Sequence, residues 1–335
     1  MLEAIEKREL IVLEGLGARV HCTFHHPADL QSDAPRGQSD SGRLGVVFVN
    51  SLTMPRTATG DSAVHWANCI AELGYPTFRI DLPGLGDSEG VAGVDLLDSI
   101  NAGGYADVTA AAARQLVERF RLPGVIILGH CAGSVSALYA SALSKECKGL
   151  ILLDPYFHLP VAKKAAVRQT IGEWVTRTAF GRVISNVLDR VRKVRLALRG
   201  SALPANANTR LLARWKQAAA AGLPILLLRA PGFKAQGAKP RLGEFDYIGH
   251  VLKLAGRKNR IVAEFVEGAD HSFANRAGRI AVERHITGWL AAHFPLADLK
   301  FGAAQVSAPR SSKGQKSLEA PQKAPADNYC AVESR

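Results

Sequence analysis

Gly129-His130-Cys131-Ala132-Gly133 follows directly on the apolar run Val125 to Leu128 and leads into a helix-like stretch, Val135 to Leu143. A cysteine on a turn between strand and helix stands at the helix N-terminus, where free backbone N–H groups and the helix dipole favour an anionic sulfur. Glycines two residues to either side keep the turn clear of side chains that would strike neighbouring backbone. The chemistry open to such a residue is nucleophilic attack on a carbonyl, followed by resolution of the covalent intermediate. Taken alone, G-x-C-x-G is equally compatible with a buried, inert cysteine. A base in the right place decides between the two readings. Gly268-Ala269-Asp270-His271-Ser272-Phe273 supplies one, directly after the apolar run Ile261 to Val266. Of ten histidines, His271 alone combines the end of a strand, a loop and a following helix; His25, His26 and His65 belong to earlier elements, and His285 and His293 to the final helix.

These two segments need a frame that brings them together, and the remaining pattern describes one. Glu9 to Glu14 and Ala18 to His25 alternate apolar and polar residues around Gly15 and Gly17, which reads as an opening antiparallel hairpin. Gly45 to Asn50 is a buried strand, Asp61 to Leu73 has helical spacing, Pro76 to Asp81 is a strand, and Tyr105 to Phe120 a helix. After the elbow come Gly149 to Asp154 and, beyond an interruption, Pro224 to Leu228, Ile261 to Val266 and a helix from Ala277 to Phe294. Strands alternating with helices predict an α/β fold with a mostly parallel sheet of about eight strands, covered on both faces. Residues 155–222 break the alternation and read as a basic helical cap after the sixth strand. The expected organisation is therefore core (1–154), cap (155–222), second part of the core carrying His271 (223–300) and a disordered tail (301–335), the last being rich in Ser, Pro, Lys, Gln and Ala.

The Asp81-to-Ser88 turn, the Gly129-to-Gly133 elbow and the His271 loop together resemble the α/β-hydrolase superfamily, over roughly residues 8 to 295. The capped serine-hydrolase-like branch is most similar, with a cysteine where serine is usual, as in dienelactone hydrolases and polyhydroxyalkanoate synthases. The resemblance implies Cys131 as nucleophile, His271 as general base, and an oxyanion hole formed by the backbone N–H groups of Ala132 and of Ser51 or Leu52. Gly84-x-Gly86 is not a dinucleotide fingerprint, because position 89 is Glu89. The acid departs from the family pattern: Leu226-Leu227-Leu228 runs into Arg229-Ala230-Pro231-Gly232 with no carboxylate. Asp154, at the end of the sixth strand, is one substitute and also reads as a helix N-cap before Pro155. Glu244 and Asp246 are the others. The function implied is hydrolysis of an ester or thioester through an acyl-thioester on Cys131; the alternatives are an acyltransferase using the same intermediate, and a non-catalytic binding protein that kept the fold.

Charge adds a hint about partners. Of a net charge of +12, most lies between Val161 and Ala221, where thirteen basic residues face two acidic ones. A solvated helical face, recognition of an anionic or carrier-bound acyl substrate, and contact with an anionic membrane surface through the stripe Val183, Val187, Val191 and Val194 are all compatible with it. Nucleic acid is not expected, since neither aromatic interleaving nor a nucleic-acid motif is present. Five cysteines without C-x-x-C spacing carry no disulfide framework or metal pattern, and neither a metal nor a cofactor is expected. The charged N-terminus lacks a signal-peptide core, so the expected compartment is the cytoplasm. Val125 to Leu143 is apolar enough to suggest a membrane span by length, but His130, its glycines and its serines identify it as a buried strand-helix unit.

Overall fold

A computed structural model describes residues 8–28, 42–160, 203–230, 245–256 and 260–296. Among them, β1 (Arg8–Leu13), β2 (Val20–His25), β3 (Gly45–Val49), β4 (Thr77–Ile80), β5 (Val125–His130), β6 (Cys147–Leu153), β7 (Ile225–Arg229) and β8 (Ile261–Phe265) form one sheet in the order β1-β2-β4-β3-β5-β6-β7-β8. The β1–β2 and β2–β4 pairings are antiparallel and all others parallel. The opening hairpin therefore forms one margin of a parallel sheet, as the alternation of residues 9–25 predicts.

The helices are α1 (Ser62–Glu72), α2 (Leu96–Ala102), α3 (Ala106–Phe120), α4 (Ala132–Ser141), α5 (Thr209–Ala220), α6 (Tyr247–Ala255) and α7 (Arg276–His293). Period-two alternation distributes the central strands' apolar side chains between two cores. Val47, Val49 and Ile127 meet α2 to α6 on one face, whereas Val46, Phe48, Ile126 and Leu128 meet α1 and α7 on the other. Both faces are covered, which explains why β5, β6 and β7 read as continuous apolar runs rather than as alternating ones.

One boundary differs from the sequence reading. The α5 helix falls within the stretch assigned to the cap, yet it joins the core between α4 and α6: Trp215 is fully buried against Phe157 and donates its Nε1–H to the Val251 carbonyl at 2.7 Å. Its N-cap, Asn208, accepts from Leu211 N–H and donates to the Asn101 carbonyl, anchoring α5 to α2. The sequence of α5 is basic on one side and strongly amphipathic, and its charge concealed a core-facing stripe of Leu211, Leu212, Trp215, Ala218 and Ala219. Most of the basic segment, residues 161–202, lies outside the described residues, as does the tail, 301–335.

The strand order fixes where a site can form. From β3 the chain moves to β4 on one side and to β5 on the other, so the crevice beyond the carboxyl ends of β3 and β5 is a topological switch point. Val49 lies level with Gly129, His130 with Leu153, and Leu153 with Leu228. Asn50, Cys131 and Asp154 consequently leave the sheet side by side along one edge.

Candidate active site

Cys131 is the N-cap of α4, held at φ 50° and ψ −113°, a conformation that side-chain-bearing residues rarely adopt. The turn is stitched from several sides. Cys131 N–H donates to the Leu153 carbonyl at 2.8 Å, and the buried Ser134 hydroxyl donates to the Gly129 carbonyl at 2.6 Å. A side chain at Gly129 would run into the Gly133 backbone, and one at Gly133 would place its Cβ 2.6 Å from the Val49 carbonyl oxygen. Both glycines are thus required by close backbone approach. The same approach brings the first turn of α4 against the end of β3, so that Ala132 adjoins the segment containing Ser51 and Leu52.

That segment is held by a buried carboxylate. Asp81 is inaccessible to solvent and accepts from Arg56 Nη1 at 2.5 Å, Arg56 N–H at 2.6 Å, Asp87 N–H at 3.0 Å and Asn50 Nδ2 at 3.1 Å. Asn50 also donates to the Met54 carbonyl and accepts from Leu82 N–H. Both ends of the loop after β3 are tied to the turn after β4, and Leu52 between them turns through a left-handed conformation, φ 44°.

His271 and Asp154, 117 residues apart in sequence, meet across the crevice: His271 Nδ1 lies 2.5 Å from Asp154 Oδ2. Asp154 sits one residue past β6, and its N–H donates to the Leu228 carbonyl at 2.7 Å. Residues 155–160 are not helical, so Asp154 caps no helix there. Of the other two carboxylates weighed in its place, Asp246 is occupied as the N-cap of α6, accepting from Gly249 N–H at 2.9 Å, and Glu244 lies outside the described residues. The Asp154 carboxylate, and then hydrogen bonding with Cys131, push the His271 pKa up to about 10 against the opposing effect of burial. The shift favours the protonated imidazole, whose Nδ1 faces the Asp154 carboxylate.

A profile of the alpha/beta hydrolase family matches residues 46–285, a span that includes the β3 end, the elbow, Asp154 and His271. The chain belongs to the alpha/beta hydrolase family. An esterase of Pyrococcus furiosus shares its fold with a TM-score of 0.51 at 12% identity, covering 85% of this chain and 90% of that one. The esterase domain of a Rhodothermus marinus protein gives 0.50 at 14% identity, covering 85% and 98%. No curated protein matches the sequence. The eight-stranded, mostly parallel sheet with its helical layers is the alpha/beta hydrolase fold.

Two residues of this hydrolase's crevice are not singled out by its sequence. His130, beside Cys131, lies 2.7 Å through Nε2 from the His271 carbonyl oxygen, and its ring packs against those of His271 and Phe273. Burial pushes its pKa down to about 4, so it is a neutral donor that holds the His271 loop. The fully buried Phe273 and the Asp270 carboxylate, which accepts from Ser272 Oγ at 2.7 Å, hold the same loop from the other side. Position offers the one available signal for His130, a polar last residue on an apolar strand. Tyr156 is the second. Its hydroxyl is buried near Cys131 and has no partner among the described residues. Among those residues, no helix is long and apolar enough to cross a membrane.

Proposed function

We propose that this alpha/beta hydrolase cleaves an ester or thioester through a Cys131 acyl-thioester, with His271 and Asp154 completing the site. The observation that carries the reading is the 2.5 Å contact between His271 Nδ1 and Asp154 Oδ2 beside a cysteine on a strained elbow. An imidazolium next to the sulfur is the counter-ion a thiolate needs. The sulfur attacks the carbonyl carbon, and the oxyanion takes hydrogen bonds from the N–H groups of Ala132 and of Ser51 or Leu52, each worth about 3 kcal/mol of barrier. His271 then gives its proton to the departing alkoxide or thiolate, leaving Cys131 acylated. In the second half the neutral imidazole takes a proton from water, hydroxide adds to the thioester, and the sulfur leaves. His271 thus acts first as an acid and only afterwards as the general base that the sequence suggests. The Tyr156 hydroxyl, with no partner among the described residues, is available to meet a polar group of the substrate.

The protonation state of His271 makes this testable. Since its pKa is raised, the proton-bearing form persists through neutral pH and is lost only as pH climbs towards about 10. The expected profile of kcat/KM for an activated ester falls on the alkaline side at that loss. Asp154 is the main cause of the shift, so Asp154→Asn moves the fall towards neutrality. A limb that stays in place in Asp154→Asn removes Asp154 from the site.

An acyltransferase would use the same intermediate with an alcohol or amine replacing water. Intact mass measurement after exposure to a panel of acyl esters and thioesters, with and without acceptors, identifies the acyl group and separates transfer from hydrolysis. Neither turnover nor mass addition is expected of a non-catalytic binding protein.

The basic segment bears on the substrate. Its field favours an anionic or carrier-bound acyl group, and such steering weakens as the Debye length shrinks from about 10 Å at 0.1 M salt to about 3 Å at 1 M. We expect kcat/KM for an acyl-CoA to fall with ionic strength while that for a neutral ester barely changes. Charge reversal at Arg190, Arg192, Lys193 and Arg195 abolishes the difference if the segment steers. Equal salt dependence of the two substrates would mean a merely solvated face. The same residues favour peripheral contact with an anionic membrane, which co-sedimentation with anionic vesicles tests.

A further inference from the structure

His65 and Cys69 are one helical turn apart on α1, on the same face, and that face packs against α7 where it carries Glu283. His65 Nε2 lies 2.8 Å from Glu283 Oε2 and 4.0 Å from Cys69 Sγ, and one ligand atom from each residue falls within 4.8 Å of the other two. Ligands at tetrahedral angles, about 2.0–2.3 Å from a zinc ion, are about 3.4–3.6 Å from one another. The observed separations bracket that spacing on both sides, so small side-chain rotations close the site without moving either helix.

The scaffold around the three residues is rigid. Trp66 donates its Nε1–H to the Arg279 carbonyl at 3.1 Å, and Tyr75 donates its hydroxyl to the Phe294 carbonyl at 2.7 Å, fastening α1 and the turn after it to α7 and its end. Both bonds border the core that includes Trp66, Ile70, Val282, Ile286 and Trp289. Held ligands bind metal without first paying for their own ordering. Access is also available, since the His65 and Glu283 side chains are 36% and 32% exposed. Solvent can reach the cluster and supply a fourth ligand. Glu72 adds a second carboxylate field at Cys69.

We propose that His65, Cys69 and Glu283 bind a zinc ion that clips α1 to α7. One thiolate, one imidazole and one carboxylate match the borderline character of zinc and suit neither magnesium nor calcium, which take oxygen ligands. On binding, the Cys69 thiol proton passes to solvent, as does any proton on His65, and the His65–Glu283 hydrogen bond is exchanged for two metal bonds. No electron is transferred. The site is separate from the crevice of Cys131, and the proposal stands whether or not that crevice is catalytic.

Cobalt(II) is the probe, because a thiolate ligand gives it a near-ultraviolet charge-transfer band. The full chain is used with Cys131→Ala, so that the Cys131–His271 pair contributes no sulfur ligand. The band is expected to saturate at one cobalt per chain, to be displaced by zinc, and to vanish when Cys69→Ser is added. Zinc alone should raise the Tm by several degrees, and His65→Ala should lose that rise while leaving the metal-free Tm nearly unchanged. Glu283→Gln provides a variant that keeps the side-chain volume, with an expected tenfold or greater loss of cobalt affinity. The proposal is overturned if no band appears, if an equal band survives Cys69→Ser, or if the zinc-dependent rise in Tm is the same in His65→Ala.

Discussion

Cys131→Ala is expected to abolish acyl-enzyme formation and turnover while leaving the fold in place. Removing the nucleophile from a cooperating site costs on the order of 10⁶ in kcat in a comparable hydrolytic machine. The fold should survive because Cys131 is only partly buried and the elbow is held by other groups: its own N–H, the Ser134 hydroxyl, and the approach of Gly133 to the end of β3. The backbone at φ 50° is equally unfavourable for alanine and cysteine. Cys131→Gly removes that strain, and since such conformations cost on the order of 1–3 kcal/mol, it should be at least as stable as the parent while equally inactive. A variant that loses activity and gains stability would show strain held at the proposed nucleophile. Cys131→Ser keeps the geometry but reacts slowly, because a hydroxyl is a weak nucleophile that needs full activation by a base. Turnover retained in Cys131→Ala would remove Cys131 from the mechanism.

The parts of this molecule that are legible in its sequence are those whose causes are local. The central strands appear as apolar runs because they are buried on both faces, and the elbow appears because Gly129 answers to the backbone of Gly133 and Ser134 one turn on, although Gly133 answers to the distant end of β3. The helix predicted over Ala277 to Phe294 is found as Arg276–His293, started by Asn275 accepting from Gly278 N–H. Two helices leave little trace. Seven-residue α2 is too short for a period to emerge, and α6 carries Gly249 in its first turn, so residues around Asp246 read as a loop and the N-cap reads as a spare carboxylate. The pairing of His271 with Asp154 has no local cause. It depends on β6, β7 and β8 lying side by side in register, which three candidate acids along the chain could not reveal. His130 was hidden for the same reason, since its partner, the His271 carbonyl, is 141 residues away.

Asp81→Ala is expected to be the most destabilising single change near the crevice, at about 3–5 kcal/mol, the usual loss when one member of a buried ion pair is removed. The carboxylate has no solvent access, and its loss leaves the Arg56 guanidinium, itself only 14% exposed, without its one buried counter-charge, the other, Asp87, being at the surface. The backbone N–H groups of Arg56 and Asp87 and the Asn50 amide lose an acceptor at the same time. Asp87 is the internal control. It also pairs with Arg56, at 2.6 Å, but it is 68% exposed, and Asp87→Ala should cost less than about 1 kcal/mol. Urea unfolding measures both. Removing charge and counter-charge together, as in Asp81→Leu with Arg56→Met, should recover part of the stability because no buried ion is then left alone. It should not recover activity. The loop carrying Ser51 and Leu52 is held at both ends by Asp81, so a chain that refolds without this clamp has an intact sheet and a displaced donor of the proposed oxyanion hole. Asp81→Ala within about 1 kcal/mol of the parent would instead mean that β3 and the elbow position the loop unaided, and that the turn after β4 is only a connection.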